Sequence, residues 1–332
     1  CLFLYTPIFC QAIFLTKVIN TKRLFGVMFD FINLTLQEFI RKFNCEDVCL
    51  SYLEERFWNN VPVSPFDPSS KVYNYGNHKY RCRNTGKNFN VKTNTLFHGT
   101  KVPLDKWFYA IWKIANSTNG ISSVQLSKEI GIRQATAWSM LHRIRMCMSA
   151  ENVAKLSGEV ELDETYVGGK EKSKHSNKRI PHNQGRSTKT RTAVLGMLER
   201  NGKVVCRVIK GRVTKKKLTA PILTTIKRTA TLYTDEYSGY NLVGKVYKRE
   251  KVNHSKKLYV KGKAHTNGIE GFWSKVKRSF VGVYYKISRK YLHLYMNEYV
   301  FRHNVAKENG LNRFNHFLTL ANRHVPLKEL VA

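Results

Sequence analysis

The sequence predicts an α/β domain in the second half of the chain, preceded by a mainly helical region. Apolar and acidic residues alternate over residues 159–169, as in a strand. Three more short apolar runs follow, with a helix-compatible segment at residues 215–228 before the last of them. Apolar residues then recur at helical spacing over residues 266–280. Strands followed by helices that cross them are typical of an α/β fold.

The charge of the chain predicts a polyanionic partner. Among 332 residues there are 57 Lys and Arg but only 23 Asp and Glu, which gives a net charge of +34. A basic domain gains affinity for nucleic acid because each neutralised phosphate releases a counterion. The alternative is an anionic membrane surface, which requires a basic amphipathic helix with an apolar side. We therefore expect double-stranded DNA as the partner, and no membrane.

The cysteines and the N-terminal segment predict an intracellular protein. The seven cysteines are scattered, odd in number and without a C-x-x-C motif, which argues against a disulfide framework. No run reaches the ~18 apolar residues of a membrane span. Residues 1–33 are expected to be an extension, in which residues 1–27 are translated upstream sequence and Met28 is the start. The alternative is a core-packing N-terminal helix in a fragment.

The first half of the chain predicts a DNA-reading element. We expect short helices over residues 34–60, a small hairpin within residues 61–100, and a helical region over residues 101–150. The last of these contains two apolar helical faces around a turn at Gly131, which is the pattern of a helix-turn-helix. A purely structural helical hairpin would give the same pattern.

A basic side on the second of these helices favours DNA contact over the structural alternative. The residues at its start, where base edges are read, are Arg133, Gln134 and Thr136. We expect the basic side to be exposed; its members are Arg133, His142, Arg143 and Arg145.

Three acids in the second half are candidates for chemistry. Asp163 lies within an apolar strand, Asp235 ends the strand at residues 230–237, and Glu270 lies at the edge of the apolar stripe of the helix. A carboxylate in an apolar strand is costly without a partner, and it could be capped by backbone or paired with an Arg. Three acids on one surface would repel each other unless divalent cations bind between them. Their neighbours Glu164 and Glu236 are interpreted as solvated or supporting groups.

Four segments in the order VELDETYVGGK, YTDEYSGY, VNHSK and HTNGIEGFWSKVKR carry a resemblance over roughly residues 30–305. The sequence resembles the DDE transposases of bacterial insertion sequences and their eukaryotic Merlin relatives. The resemblance implies a ribonuclease-H-like catalytic domain at residues 157–305, a mixed sheet with flanking helices, followed by a C-terminal tail at 306–332. It also implies a metal-binding triad formed by Asp163, Asp235 and Glu270.

The same resemblance implies the activity and the partners. A transposase would use two Mg²⁺ or Mn²⁺ ions to cleave and join DNA at the terminal inverted repeats of its own element and at target DNA. We expect a homo-oligomer in the DNA complex, located with the chromosome in a nucleoid or a nucleus. Lys277 matches the basic residue that often follows the glutamate, and Lys275 and Arg143 are further expected DNA contacts.

The sequence departs from the family at a zinc ribbon expected within residues 61–100. The two C-x-x-C knuckles align with Ser64 and Asp67, and with Cys82 and Thr85. One thiolate of four cannot form a closed tetrahedral zinc site, and we do not expect Asp67 and His78 to restore one. We therefore expect a degenerate ribbon without zinc.

Two other functions remain open at this point. A DNA-binding regulator would use only the helix-turn-helix and would leave the three acids unexplained. A host-adopted nuclease of the same fold would retain the triad.

Overall fold

The structure, a computed structural model, describes residues 34–149, 154–169, 174–181, 183, 187–252, 265–326 and 329–330. The predicted extension at residues 1–33 lies outside these residues, as does most of the VNHSK segment.

A five-stranded mixed sheet forms the centre of the second half, in the order β6-β5-β4-β7-β8. Strand β4 pairs antiparallel with β5 and parallel with β7, and β8 extends the sheet beside β7. With its flanking helices, this sheet confirms the predicted α/β fold class, a mixed sheet with flanking helices. The strands are β4 (Glu159–Val167), β5 (Thr192–Glu199), β6 (Val204–Ile209), β7 (Thr231–Thr234) and β8 (Lys248–Lys251).

The burial of the strands explains which of them the sequence predicts. Strand β5 is buried along almost its whole length and reads as a continuous apolar run. Strand β8 is the edge strand, has the sequence KREK and is mostly exposed, so no apolar pattern marks it.

Nine helices surround this sheet and build the first half, counted over the described residues. The predicted short helices, the helix at residue 104, the two helices on either side of Gly131 and the helix that carries Glu270 are all present. Gly131 ends the first helix of the pair with φ +62°, a left-handed backbone that suits glycine. The helices are α1 (Leu36–Lys42), α2 (Glu46–Trp58), α3 (Leu104–Asn116), α4 (Ser123–Ile130), α5 (Gln134–Cys147), α6 (Lys215–Thr225), α7 (Asn267–Ser279), α8 (Leu292–Asn304) and α9 (Gly310–Ala321).

Two apolar cores hold the chain together. One lies among helices α1 to α5 and α9, and the other lies between the large sheet and helices α6, α7 and α8. Helix α9 lies in the region expected to be a tail, but it buries Leu311, Phe314 and Phe317 in the first core. The end of the chain therefore packs against its first half.

The hairpin region forms a separate three-stranded antiparallel sheet, one strand more than expected. Its strands are β1 (Val72–Asn74), β2 (Tyr80–Cys82) and β3 (Asn88–Phe89).

No helix in the described part of the chain is long and apolar enough to cross a membrane.

Candidate active site

The pairing of β4 with β7 places two of the predicted acids side by side. The strands are parallel, and Leu162 is paired with Thr234, so Asp163 and Asp235 come next on each strand. Paired residues point to the same face of a sheet, and Glu161 pairs with Tyr233 on the face that Asp163 shares. Asp163 and Asp235 therefore lie at the same end and on the same face of the two central strands.

Helix α7 packs against this face and brings Glu270 to it. Asp163 pairs across the sheet with Gly196 of β5. A Cβ atom at Gly196 would lie 2.4 Å from Cζ2 of Trp273 and 2.8 Å from Cδ1 of Ile269. The glycine thus permits the close approach of α7, whose next residue after Ile269 is Glu270.

A fourth acid, Glu161, fixes the start of this helix. Thr266, the residue before α7, provides no side-chain cap. Instead, the backbone N–H of Ile269 donates to Glu161 Oε2 at 2.9 Å. A carboxylate at a helix N-terminus satisfies a free N–H group and is favoured by the helix dipole.

Glu161 is itself held firmly, because its side chain is only 1% exposed. Arg200 donates from Nε to Glu161 Oε1 at 3.0 Å and from Nη2 to the carbonyl of His265 at 2.9 Å. The strand that carries Asp163 and the helix that carries Glu270 are therefore joined by the hydrogen bond between Glu161 and Ile269, and Arg200 holds Glu161 in place for it. In the sequence, Glu161 stands on the polar side of an alternating strand, and nothing near it marks this contact, since its partners are distant in sequence.

The electrostatics of Asp163 link the predicted residues. Burial, together with the charges of Asp235 and Glu270, raises the pKa of Asp163 to about 6, while a backbone hydrogen bond at Glu164 and the charge of Lys277 oppose the rise. Each of these charges is therefore close enough to act on Asp163. A buried carboxylate whose pKa is raised by neighbouring carboxylates marks a place at which a cation would be stabilised.

The ligand chemistry fits divalent cations, although the three carboxylates do not form a closed set. Within the described residues, no three His, Cys, Asp or Glu side chains are arranged so that they could hold a metal ion. Oxygen ligands are those that Mg²⁺ and Mn²⁺ prefer, and Mg²⁺ usually keeps several waters and binds substrate phosphate. The acids Asp163, Asp235 and Glu270 are thus candidate ligands that share one face.

Several predicted DNA-contact residues are exposed. Arg133 and Gln134 lie at the start of α5, and Thr136, two residues after Gln134, is half-buried. Gln134 Nε2 donates to Ser123 Oγ at 2.7 Å, which joins the two helices of the pair. Lys275 and Lys277 are exposed on α7, the helix that carries Glu270.

The predicted exposed basic side of α5 is wrong for three of its four members. His142 and Arg145 are buried, and Arg145 Nε lies 2.7 Å from Glu298 Oε2 of α8. Arg143 is half-buried, donates to the carbonyl of Leu96 and lies 5.2 Å from the centre of the Trp107 ring. These side chains are occupied inside the protein, so Arg143 does not remain among the DNA contacts that we propose.

The knuckle positions of the predicted ribbon are joined by hydrogen bonds. Burial alone would raise the pKa of the Cys82 thiol, but hydrogen bonds with Ser64, Ser70 and Thr85 outweigh it and lower this pKa to about 6. Ser64 Oγ also accepts the N–H groups of Phe66 and Asp67 at 3.2 and 3.3 Å. Hydroxyl groups therefore form the hydrogen bonds at the positions where the resemblance would place zinc ligands.

Comparison with known proteins relates the second half of the chain to a transposase domain. Residues 155–304 match the ISXO2-like transposase domain. This match contains β4, β7 and α7 and therefore all three candidate acids. An uncharacterized protein in transposable element ISH50 of Halobacterium salinarum is 26% identical over 283 residues, which are 82% of this chain and 95% of that protein.

Two solved structures show a weaker likeness. A pre-cleavage Mos1 transpososome matches with a TM-score of 0.24 at 11% identity, and the Mos1 strand transfer complex matches with 0.22 at 10%. Each match covers 69% of this chain and 82% of the other chain. Scores this low do not establish a shared fold or a shared function.

The contact between Glu161 and α7 leads to a prediction for Glu161→Gln. The substitution keeps the shape of the side chain but removes the charge that holds Arg200 and the helix start. If the protein cleaves DNA, we expect the turnover rate to fall about 10²-fold, because a small displacement of a reacting group costs that much. DNA affinity and KM should change little, since Glu161 is buried. Cleavage kinetics measure the turnover rate and KM, and a binding titration measures the DNA affinity.

Glu236→Gln is the matched control, because Glu236 is exposed next to Asp235. Equal effects of the two substitutions on turnover would contradict a positioning role for Glu161. A loss of DNA affinity in Glu161→Gln without a loss of turnover would contradict it as well.

Proposed function

We propose that this protein is a DNA transposase that cleaves and joins DNA at the terminal inverted repeats of its own mobile element. One observation carries the proposal. Asp163 and Asp235 share one face of two adjacent strands, and the charge of Glu270 acts on Asp163 from helix α7, inside a segment that matches a transposase domain.

In this proposal the three carboxylates hold two divalent cations, Mg²⁺ or Mn²⁺. When bound, such ions stabilise the attacking and leaving oxygens of a phosphodiester. Asp163 and Asp235 are fixed by β4 and β7, while Glu270 is fixed by the attachment of α7 to Glu161. Lys277 is exposed on α7, and its charge acts on Asp163, so it can contact a phosphate beside the reacting one.

Double-stranded DNA is the proposed partner. The net charge of +34 supports it, and so do the exposed Arg133 and Gln134 at the start of α5 and Lys275 on α7. We propose that α5 reads the terminal repeat in the major groove. A homo-oligomer would bring the two terminal repeats of the element together. The protein would act on the chromosome, in a nucleoid or a nucleus.

The ribbon is a proposed remnant of the zinc-binding element of this superfamily, which includes the Merlin transposases. Its knuckle positions hold Ser64, Asp67 and Thr85 beside Cys82, and hydroxyl groups hydrogen-bond the thiol. We propose that it folds without zinc.

The prediction for the ribbon concerns metal content. Protein purified without chelator and dialysed should contain far less than one zinc per chain by elemental analysis, because one thiolate does not form a closed site. Chelator should leave its melting temperature unchanged. About one zinc per chain, lost together with stability on chelation, would show that other ligands bind it.

The test of the proposed function uses DNA that carries the repeats flanking the gene. We expect purified protein to cleave this DNA at the repeat ends in Mg²⁺ and to join the ends to target DNA, and sequencing of the products locates the junctions. DNA with scrambled repeats is the matched control. Specific binding to the repeats without cleavage or joining would instead indicate a DNA-binding regulator, and cleavage without joining would indicate a nuclease.

A further inference from the structure

The small sheet has two different faces. Side chains that alternate along the strands form an apolar inner face, which includes Tyr80, Cys82 and Phe89. The opposite face, here called the outer ribbon face, is exposed and consists of Tyr73, Tyr75, Lys79, Arg81 and Asn88. The pairing supports this assignment, because Tyr73 is opposite Arg81 and Arg81 is opposite Asn88.

The two tyrosines of this face are unusually open for aromatic residues. Tyr75 is 62% exposed and Tyr73 is 42% exposed. Tyr75 directly follows β1 and continues its pairing through a backbone hydrogen bond to Lys79, two residues after Tyr73, which corresponds to ~7 Å between the two Cα atoms. Beside Tyr75, a groove of about 520 Å³ is lined by Lys79, Arg81 and Asn88 of the outer ribbon face, and also by Tyr80 and Phe89 of the inner face.

The surroundings of the outer ribbon face are strongly basic. Residues 68–104 contain no Asp or Glu. Arg81 is oriented by a hydrogen bond from Nε to the carbonyl of Gly86 at 3.1 Å, and Lys71 Nζ lies 6.0 Å from the centre of the Tyr73 ring. The cations of this segment are Lys71, Lys79, Arg81, Arg83, Lys87, Lys92 and Lys101.

We propose that the outer ribbon face binds single-stranded DNA, with unpaired bases stacked on Tyr73 and Tyr75. Basic grooves with exposed aromatic rings bind single strands in this way, because every base has a flat face and every link has a phosphate. The backbone spacing of ~7 Å between the two tyrosines is about twice the ~3.4 Å rise per nucleotide of a duplex strand, so it suits an extended, unstacked strand. Lys79 and Arg81 contact the phosphates in the groove.

This proposal does not depend on the three acids of the sheet. It holds for a transposase, for which it adds a site for a frayed or cleaved strand, and equally for a protein that only binds DNA. Failure of the cleavage test therefore leaves it standing, and its own failure leaves the cleavage test unaffected.

The experiment measures the affinity of the full chain for a labelled oligothymidine and for a duplex of equal length, by fluorescence anisotropy. Replacement of Tyr73 and Tyr75 by Ala together should weaken oligothymidine binding by about 25-fold or more, since each stacked base contributes at least about fivefold. Duplex binding should fall less than twofold. Lys79→Gln should lower the slope of the salt dependence for the single strand by roughly one contact.

The matched control replaces both tyrosines by Phe, which keeps the ring and removes only the hydroxyl. The Phe variant should bind oligothymidine like the wild type. Three outcomes would overturn the proposal. The Ala variant could retain wild-type affinity for the single strand, it could lose affinity equally for both DNA forms, or the Phe variant could fail as the Ala variant does.

Discussion

Replacement of Asp163 by Asn is expected to reduce metal-dependent cleavage of terminal-repeat DNA by about 10⁴-fold, the order found when one member of a catalytic unit is removed. Asn has nearly the same shape as Asp but carries no charge. Asp163 lies on the central strand between Asp235 and the helix of Glu270, so the loss of its charge removes one ligand from the middle of the site.

The same substitution should leave the fold intact. Burial and the charge of Asp235 raise the pKa of Asp163, so the folded protein disfavours the charged form of this side chain. At neutral pH the neutral Asn relieves that repulsion, and we expect a melting temperature equal to or above that of the wild type. DNA affinity should also remain. Glu236→Gln, a change of charge on an exposed neighbour, should cleave at the wild-type rate.

Cleavage by Asp163→Asn within about tenfold of the wild-type rate would contradict its role as a ligand. A loss of folding or of DNA binding that accompanies the loss of cleavage would indicate a structural role instead.

Replacement of Glu298 by Gln is expected to have the largest effect on stability. Glu298 is fully buried and accepts hydrogen bonds from Arg145 Nε at 2.7 Å and from the Tyr284 hydroxyl at 2.6 Å. Arg302 Nη1 lies 3.2 Å from Glu298 Oε1, the oxygen that also accepts from Tyr284. Burial alone would lower the pKa of the Arg145 guanidinium, but the charge of Glu298 outweighs it and raises this pKa, so Arg145 remains charged. Glu298→Gln therefore leaves a buried cation without its counter-charge, which costs ~3–5 kcal/mol.

Urea unfolding measures this loss, and the exposed pair of His316 and Glu308 supplies the control. His316 Nδ1 lies 3.1 Å from Glu308 Oε1, and both side chains are partly exposed. Glu308→Gln should cost less than ~1 kcal/mol, since exposed ion pairs contribute little. A double variant, Arg145→Met with Glu298→Leu, should recover part of the stability because the fully buried Arg145 charge is removed together with its partner, although Arg302 still loses its contact with Glu298. Equal losses for Glu298→Gln and Glu308→Gln would contradict the importance of the buried pair.

This pair also has a consequence for function. Arg145 belongs to α5, which we propose reads DNA, and Glu298 belongs to α8, which packs on the large sheet. The ion pair thus fixes the proposed reading helix relative to the candidate active site.

The sequence predicts those parts of the fold that have a regular apolar pattern. Strand β4 alternates, α7 has apolar residues at helical spacing, and Gly131 marks the turn between α4 and α5. Helix α9 has the same kind of signal in Leu311, Phe314 and Leu318, so the tail expected at residues 306–332 contains a helix that its own apolar spacing predicts. Strand β8 has no such signal, because an exposed edge strand of charged residues buries too little to show a pattern.

Side chains whose partners lie far away in sequence are the part that could not be predicted. Arg145 occupies a position that helical spacing assigns to a basic surface, but its partner Glu298 is 153 residues farther along. Glu161 occupies a polar position in an alternating strand, but it caps a helix 108 residues later. A charged residue is buried only where the fold supplies its counter-charge, and the pattern around that residue does not reveal this.

Manganese binding tests most directly whether Asp163, Asp235 and Glu270 act as one metal site. Electron paramagnetic resonance would follow a Mn²⁺ titration of the protein bound to uncleaved terminal-repeat DNA. The wild type should bind about two ions per active site, as in two-metal phosphodiester chemistry. Asp163→Asn, Asp235→Asn and Glu270→Gln should each lose most of this binding, while Glu236→Gln should retain it. Wild-type Mn²⁺ binding by all three triad variants would contradict the shared site.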